Sequence, residues 1–163
     1  MDFYKYQKPV GKIEDISALR DEFITIFDTK NRQEIVLFCL SLAQHLIDFT
    51  KFEPCDEMLL AFEAMKEWLD GKTNYHKARN ISFQISRLAK EENDVAKVKF
   101  YRTMAQITAS PHTKFHGLWA TDFAITLVNK MLPNDMEAVR TEREKHIALL
   151  KASCFNNDDA FQS

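Results

Sequence analysis

The sequence predicts an all-α fold, a single-domain bundle of about seven helices with short loops. Three observations carry that expectation. Three glycines and four prolines in 163 residues are too few turn-formers for a chain of many short strands. Apolar residues recur at three- and four-residue spacing through successive segments, the period of one helix face. The breaks between those segments are about two to six residues long, the usual length of helix connections.

The elements follow in order. Residues 1–14 read as an extended arm. Asp15 then offers an N-cap to "ISALRDEFITIF", which carries Ile16, Leu19, Phe23 and Phe27 at helical spacing. A "DTKN" turn leads into "RQEIVLFCLSLAQHLIDFTKF". Its stripe of Ile35, Phe38, Leu42, Leu46 and Phe49 is widened by Val36, Leu40, Ala43 and Ile47. A helix apolar over so much of its circumference is expected at the centre of the bundle. Pro54 breaks the pattern, and Asp56 is expected to cap "EMLLAFEAMKEWLDGK". Its buried side is either Leu60, Ala64 and Trp68 or Ala61, Met65 and Leu69, and Gly71 stands where a C-terminal glycine belongs.

"TNYHKARNISFQISRLAKEE" follows with Ala78, Ile81, Ile85, Leu88 and Ala89 in register. Asn93 or Asp94 caps "VAKVKFYRTMAQITAS", whose apolar line runs through Val98, Tyr101, Ala105 and Thr108. Pro111 ends that helix, because its ring disfavours helical geometry in the residue before it. Thr113 is expected to cap the next, which carries Phe115, Leu118, Trp119, Phe123, Leu127 and Met131. After Pro133, Asp135 starts a last helix with a narrower stripe of Val139, Arg143, Ile147 and Leu150, expected on the surface. The helical domain is thus expected over residues 15–151 and a flexible tail over 152–163. The expected core includes Phe38, Leu42, Leu46, Trp68, Ile85, Trp119 and Phe123.

Composition narrows the function classes. With 45% hydrophobic and 28% charged residues the chain folds rather than staying disordered. A net charge of −2 provides no domain-wide basic face, so nucleic acid is not an expected partner. The longest apolar run, "IVLFCLSLA", is too short to span a bilayer, so neither is a membrane. The N-terminal "MDFYKYQKPVGKIED" lacks the apolar core of a signal peptide, and the expected location is cytoplasmic. Cys39, Cys55 and Cys154 form no CxxC pair, so neither a disulfide framework nor a zinc knuckle is suggested.

The stretch richest in chemistry is "ASPHTKFHGLWATDFA", with His112 and His116 four residues apart. Two imidazoles can share a metal, but a catalytic zinc needs at least a third protein ligand. Thr113 stands where the zinc-protease pattern has glutamate, and His45, His76 and His146 are scattered on other helices. No metal, cofactor or catalytic residue is therefore expected. The structural reading has His112 bonding a helix end and His116 at an interhelical contact. Whether the two rings share a face stays open, because His112 precedes the expected cap. Cys55 lies at a helix start, yet Asp56 and Glu57 beside it oppose a thiolate. Gly11, Gly71 and Gly117 are too far apart to build a phosphate cradle.

Arg79, Arg87 and Arg102 would ordinarily pair with surface carboxylates. Asp122, in the middle of an apolar helix, needs a partner if buried, and Arg102 is the candidate. The candidate cluster, functional or structural, is Arg79, Arg102, Gln106, His112, His116 and Asp122.

The residues from Trp68 to Lys130 also carry a resemblance. "WLDG" at Trp68–Gly71 is followed by "AR" at Ala78–Arg79 and then by Arg87. The series continues through Arg102, Gln106, Ala109, His112, His116 and Ala120, and "ER" recurs at Glu142–Arg143. This pattern resembles the Imm5-like group of bacterial immunity proteins over roughly Glu57 to Leu150. Gly117 and Asp122–Phe123 depart from it, standing where the group more often shows alanine and a tyrosine-alanine pair.

The resemblance implies an all-α protein of a polymorphic toxin system that binds and neutralises a cognate toxin inside the producing bacterium. No active site comes with it. Tyr4, Tyr6, Tyr75 and Phe155 fit the helix cores least well and are the candidate anchors for such a partner. The rival readings are a helical ligand-binding protein or enzyme with a pocket near His112 and His116, and a transcriptional or stress-response module. The second lacks a clear basic recognition helix.

Overall fold

The computed structural model describes residues 3–155, and every regular element among them is a helix. In chain order these are α1 (Phe3–Tyr6), α2 (Ser17–Phe27), α3 (Arg32–Thr50), α4 (Asp56–Leu69), α5 (Tyr75–Glu91), α6 (Val95–Thr108), α7 (Phe115–Met131) and α8 (Met136–Ala152). The seven expected helices are α2 to α8. Within the expected arm, α1 adds one helical turn, held to α7 where Trp119 Nε1 donates to the Lys5 carbonyl at 2.9 Å. Tyr6 rests edge-on against Phe115, with ring centroids 5.2 Å apart. Most of the expected tail, residues 156–163, lies outside the described residues. None of the described helices is long and apolar enough to cross a membrane.

Capping explains where several helices begin. Asn31 and Glu34 form a reciprocal box at the start of α3, each side chain accepting from the other's backbone N–H at 2.8 and 3.1 Å. Asp94 accepts from Ala96 and Lys97 at α6, and Asp135 from Ala138 at α8. Three expected caps are corrected. The N-cap residues of α2, α4 and α7 are Ile16, Cys55 and Lys114, none with a side-chain cap bond. Asp15 is drawn away to Arg143. Asp56 is itself the first residue of α4, where its charge complements the helix dipole. Thr113 stands one residue too early, and its backbone carbonyl serves instead, accepting from His116 at 3.1 Å.

Gly71 does end α4, at φ 72°. Its N–H bonds the Trp68 carbonyl and that of Lys72 bonds Glu67, the paired closure that favours glycine at this point.

α3 occupies the centre, packed against α4, α6, α7 and α8. Its Ile35, Val36, Phe38, Cys39, Leu42 and Leu46 have no exposed surface. α4, α5, α6 and α7 each pack on the next, while α2 lies on α8, so the two ends of the chain meet. Of the expected core, Phe38, Leu42, Leu46 and Ile85 are sealed, but Trp68, Trp119 and Phe123 are half-buried. Arg32 covers the Trp68 ring at 5.3 Å, and Trp119 sits under α1.

Of the two sides open for α4 the structure selects that of Ala61, Met65 and Leu69, while α6 is turned from expectation. Leu60 is exposed while Ala61, Ala64 and Met65 face inward on α4. On α6 Phe100, Thr103, Met104, Ile107 and Thr108 are sealed, so of the expected line Ala105 and Thr108 are buried while Val98 and Tyr101 are half-buried. α8 lies at the surface with one side exposed, and its buried stripe is wider than expected. Val139, Glu142, Arg143, His146, Ile147 and Leu150 are all buried.

α7 approaches α3 closely at Gly117. A side chain there would collide with Ile35 Cγ2 and press on Cys39 Sγ, so the absence of a Cβ sets the spacing.

Candidate functional site

The segment between α6 and α7 turns sharply. The N–H of His112 bonds the Ala109 carbonyl at 3.0 Å, and Ser110 Oγ donates to Ile107 at 2.7 Å. Pro111, which cannot donate a backbone hydrogen bond, sits between them. The turn lays the His112 ring beside Tyr75 at the start of α5, centroids 4.9 Å apart. His116 stands on the first turn of α7, with its ring centroid 6.0 Å from that of His112. The two rings therefore share one side.

His116 Nδ1 donates to Gln106 Oε1 on α6 at 2.8 Å, and Trp119 packs edge-on against the same imidazole at 5.1 Å. Arg79, Ser82, Phe83 and Ser86 of α5 complete a cleft of about 200 Å³. The Arg79 guanidinium lies over the Phe83 ring at 5.4 Å.

Electrostatics keep both imidazoles neutral at pH 7. Burial, then the neighbouring His112 and Arg79, pushes His116 down to about 4. Burial, Arg79, His76 and Arg32 lower His112. With the Nδ1 proton of His116 committed to Gln106, its Nε2 is left as an acceptor. The cleft thus offers one fixed cation, neutral acceptors, serine hydroxyls and an exposed aromatic ring. Such a set recognises polar and anionic groups. It suits a metal poorly, since one imidazole nitrogen is engaged and the nearby charges are cationic. Among the described residues no three His, Cys, Asp or Glu side chains converge as ligands.

The candidate cluster divides. Arg79, Gln106, His112 and His116 meet at the cleft, while Arg102 lies exposed further along α6. Asp122 is fully buried elsewhere, so the expected Arg102–Asp122 brace is corrected. Asp122 accepts from Arg20 Nε and Nη2 at 2.8 and 2.9 Å and from Arg143 Nη2 at 2.8 Å. Arg143 also holds Asp15 through two bonds and Thr121 Oγ1 at 3.0 Å, and Lys8 reaches Asp15 at 2.7 Å. The rotation of α6 decides this, because Arg102 points to solvent while Asp122 faces α2 and α8. The sequence signal for the true partners was faint: Arg143 occupies a place in the apolar stripe of α8, and Arg20 follows Leu19.

A second buried group joins α3 to α8. Glu142 accepts from His45 Nε2 at 2.8 Å and from His146 Nε2 at 2.7 Å. Burial opposes ionisation of Glu142, but the two imidazoles, His146 first, outweigh it and hold the carboxyl at about 2. His146 Nδ1 is buried without a protein partner, and burial lowers this imidazole against the pull of Glu142.

Fold and site together define a class: a helical domain in which polar side chains from three helices meet at one small surface cleft. The chain belongs to the family described as "Imm-5 like putative immunity protein", whose model matches residues 25–153. That span holds all of the cleft, together with Asp122 and Arg143, whereas Asp15 and Arg20 precede it. No curated protein and no solved structure matches the chain.

Proposed function

We propose that this protein is the immunity partner of a bacterial toxin, binding it one to one in the cytoplasm of the producing cell and blocking it without catalysis. The observation that carries this reading is the family match over residues 25–153. The cleft supports it. Arg79, Gln106, Ala109, His112 and His116, which carry the resemblance in the sequence, line one accessible surface.

Among the aromatic anchors expected from the sequence, Tyr4 is 82% exposed and free to insert into a partner. Tyr6 is engaged with Asp28 and Phe115, and Tyr75 with His76 and His112. Phe83, half exposed beside the cleft, is the better second anchor. Protection requires the complex to outlast the toxin, which corresponds to nanomolar affinity, about −12 kcal/mol.

Co-expression with the toxin encoded beside this chain tests the reading. Survival is expected, together with a one-to-one complex on size-exclusion chromatography. Unchanged killing at good expression of the protein overturns it.

A further inference from the structure

The cleft at His112 and His116 does not end there. A second depression along α5 and α6 shares Ser86, Ala105 and Gln106 with it and continues to Arg102 and Phe123. A third and larger one, about 550 Å³, shares Arg102 and Phe123 with the second and runs on to Lys99, Lys130 and the arm at Val10–Glu14. The three form one continuous groove with α6 as its floor.

Its charges are nearly all of one sign. Arg79 stands at one end, Lys90 and Arg102 in the middle, and Lys99, Lys130 and Lys12 at the other. None of these makes an ion pair among the described residues, although the chain as a whole carries −2. Glu14 is the one acidic residue in the lining. Unpaired cations gathered in a groove raise the local concentration of an anionic partner. Lys99 feels the crowding directly. Burial, and then Arg102 and Lys130, lower its ammonium, a cost that a bound carboxylate would relieve.

We infer that this groove takes an extended acidic segment of the partner protein, with carboxylates against Lys99, Arg102 and Lys130 and an apolar side chain against Phe123. The binding role proposed above supplies the partner, and the groove supplies the chemistry of the contacting segment. From Lys99 to Ala109 the floor is about 15 Å long at the rise of an α-helix. That length accommodates four or five residues of extended chain at about 3.3 Å each. Val10, Ile13 and Phe123 give the cationic end an apolar wall, which suits a mixed acidic and apolar peptide. A long nucleic acid is disfavoured, because beyond the groove it would meet a net negative protein.

The test uses a fluorescein-labelled peptide of alternating glutamate and leucine, about five residues long to fill the groove. Its counterpart with glutamine in place of glutamate and a short oligothymidylate serve as comparisons. Fluorescence anisotropy is expected to show binding of the acidic peptide that weakens with added salt. Affinity should fall at least about ten-fold for the glutamine peptide and for the Lys99→Glu/Arg102→Glu variant. Lys72→Glu, outside the groove, should bind as the parent does, and circular dichroism of both variants should match it. Equal binding of the glutamine peptide, or no loss in the double variant, overturns the inference. So does tighter binding of the oligothymidylate through the same two residues.

The toxin assay separates this inference from the immunity reading. Protection retained by Lys99→Glu/Arg102→Glu would refute the groove and leave immunity standing. Failure of the parent to protect, with acidic-peptide binding intact, would refute immunity and leave the groove.

Discussion

Arg143 and Asp15 lie 128 positions apart in the chain and are joined by two hydrogen bonds of 2.9 and 2.8 Å. Both side chains are almost wholly removed from water, and the same guanidinium reaches Asp122, which in turn holds Arg20. Arg20, Arg143 and the partly exposed Lys8 thus compensate Asp15 and Asp122, fixing α2, α7, α8 and the arm relative to one another. Burying a single charge is costly, so each member depends on the others.

Asp122→Ala should therefore cost about 3–5 kcal/mol, because it leaves two guanidiniums facing each other with only Asp15 nearby. Asp15→Asn should cost less, about 1–2 kcal/mol, since Asp122 remains. Urea unfolding measures both. A loss below about 1 kcal/mol for Asp122→Ala would mean that water reaches the cluster.

Stability should fall as the solution is acidified. The His116 imidazole, at about 4, lies below its ordinary 6.5, so the unfolded chain takes up this proton first. Its contribution is complete above pH 6.5 and is lost as pH falls towards 4. Glu142, at about 2 against an ordinary 4.5, adds a further loss between pH 4.5 and 2. The urea midpoint should be flat from about pH 7 to 8 and should decline below 6.5. His116→Gln should reduce the slope between 6.5 and 4 without removing it, because His112 and His146 are lowered too. An unaltered slope in that variant would show that His116 is not a source of the loss.

Gly117→Ala should destabilise, although alanine is the better helix former by about 1 kcal/mol. The new methyl meets Ile35 Cγ2, part of a β-branched side chain with little rotameric freedom. Overpacking of this kind costs about 1–3 kcal/mol. Ile35→Leu removes that methyl at nearly constant volume. The double variant should accordingly be more stable than the sum of the single changes, a coupling readable from a double-mutant cycle. Strict additivity would place the strain elsewhere.

Asp94→Ala should lower stability by about 1 kcal/mol, while Thr113→Ala should change it by less than about 0.5 kcal/mol. Asp94 accepts from Ala96 at 3.0 Å and Lys97 at 3.3 Å, whereas the Thr113 side chain caps nothing. Thermal unfolding of the two variants provides the comparison.

The helices were legible because local residues decide them. Pro54, Pro111 and Pro133 mark breaks, Gly71 supplies the left-handed residue that closes α4, and Asn31 with Glu34 writes its cap into four positions. Asp56 and Thr113 each missed the cap position by one residue, whereas Asp15 is taken by Arg143 from the other end of the chain. The rotation of α6 was ambiguous because Val98, Tyr101 and Ala105 and the sealed set of Phe100, Met104 and Ile107 both satisfy helical spacing. That one ambiguity misdirected the Arg102–Asp122 pairing. The cleft was partly legible, since Arg79, Gln106, His112 and His116 were singled out together. Ser82, Phe83 and Ser86 were missed, being ordinary residues on the polar side of α5 until α6 and α7 are set against them.

The cluster around Arg143 also imposes an order on synthesis. Asp15 and Arg20 leave the ribosome early and Asp122 much later, while Arg143 emerges only with the middle of α8. Until then Asp122 has only Arg20 and Asp15 only the partly exposed Lys8, no side chain ties the two carboxylates together, and a nascent chain has reason to keep that region hydrated and loose. A product cut short before α8 would therefore remain open to proteases.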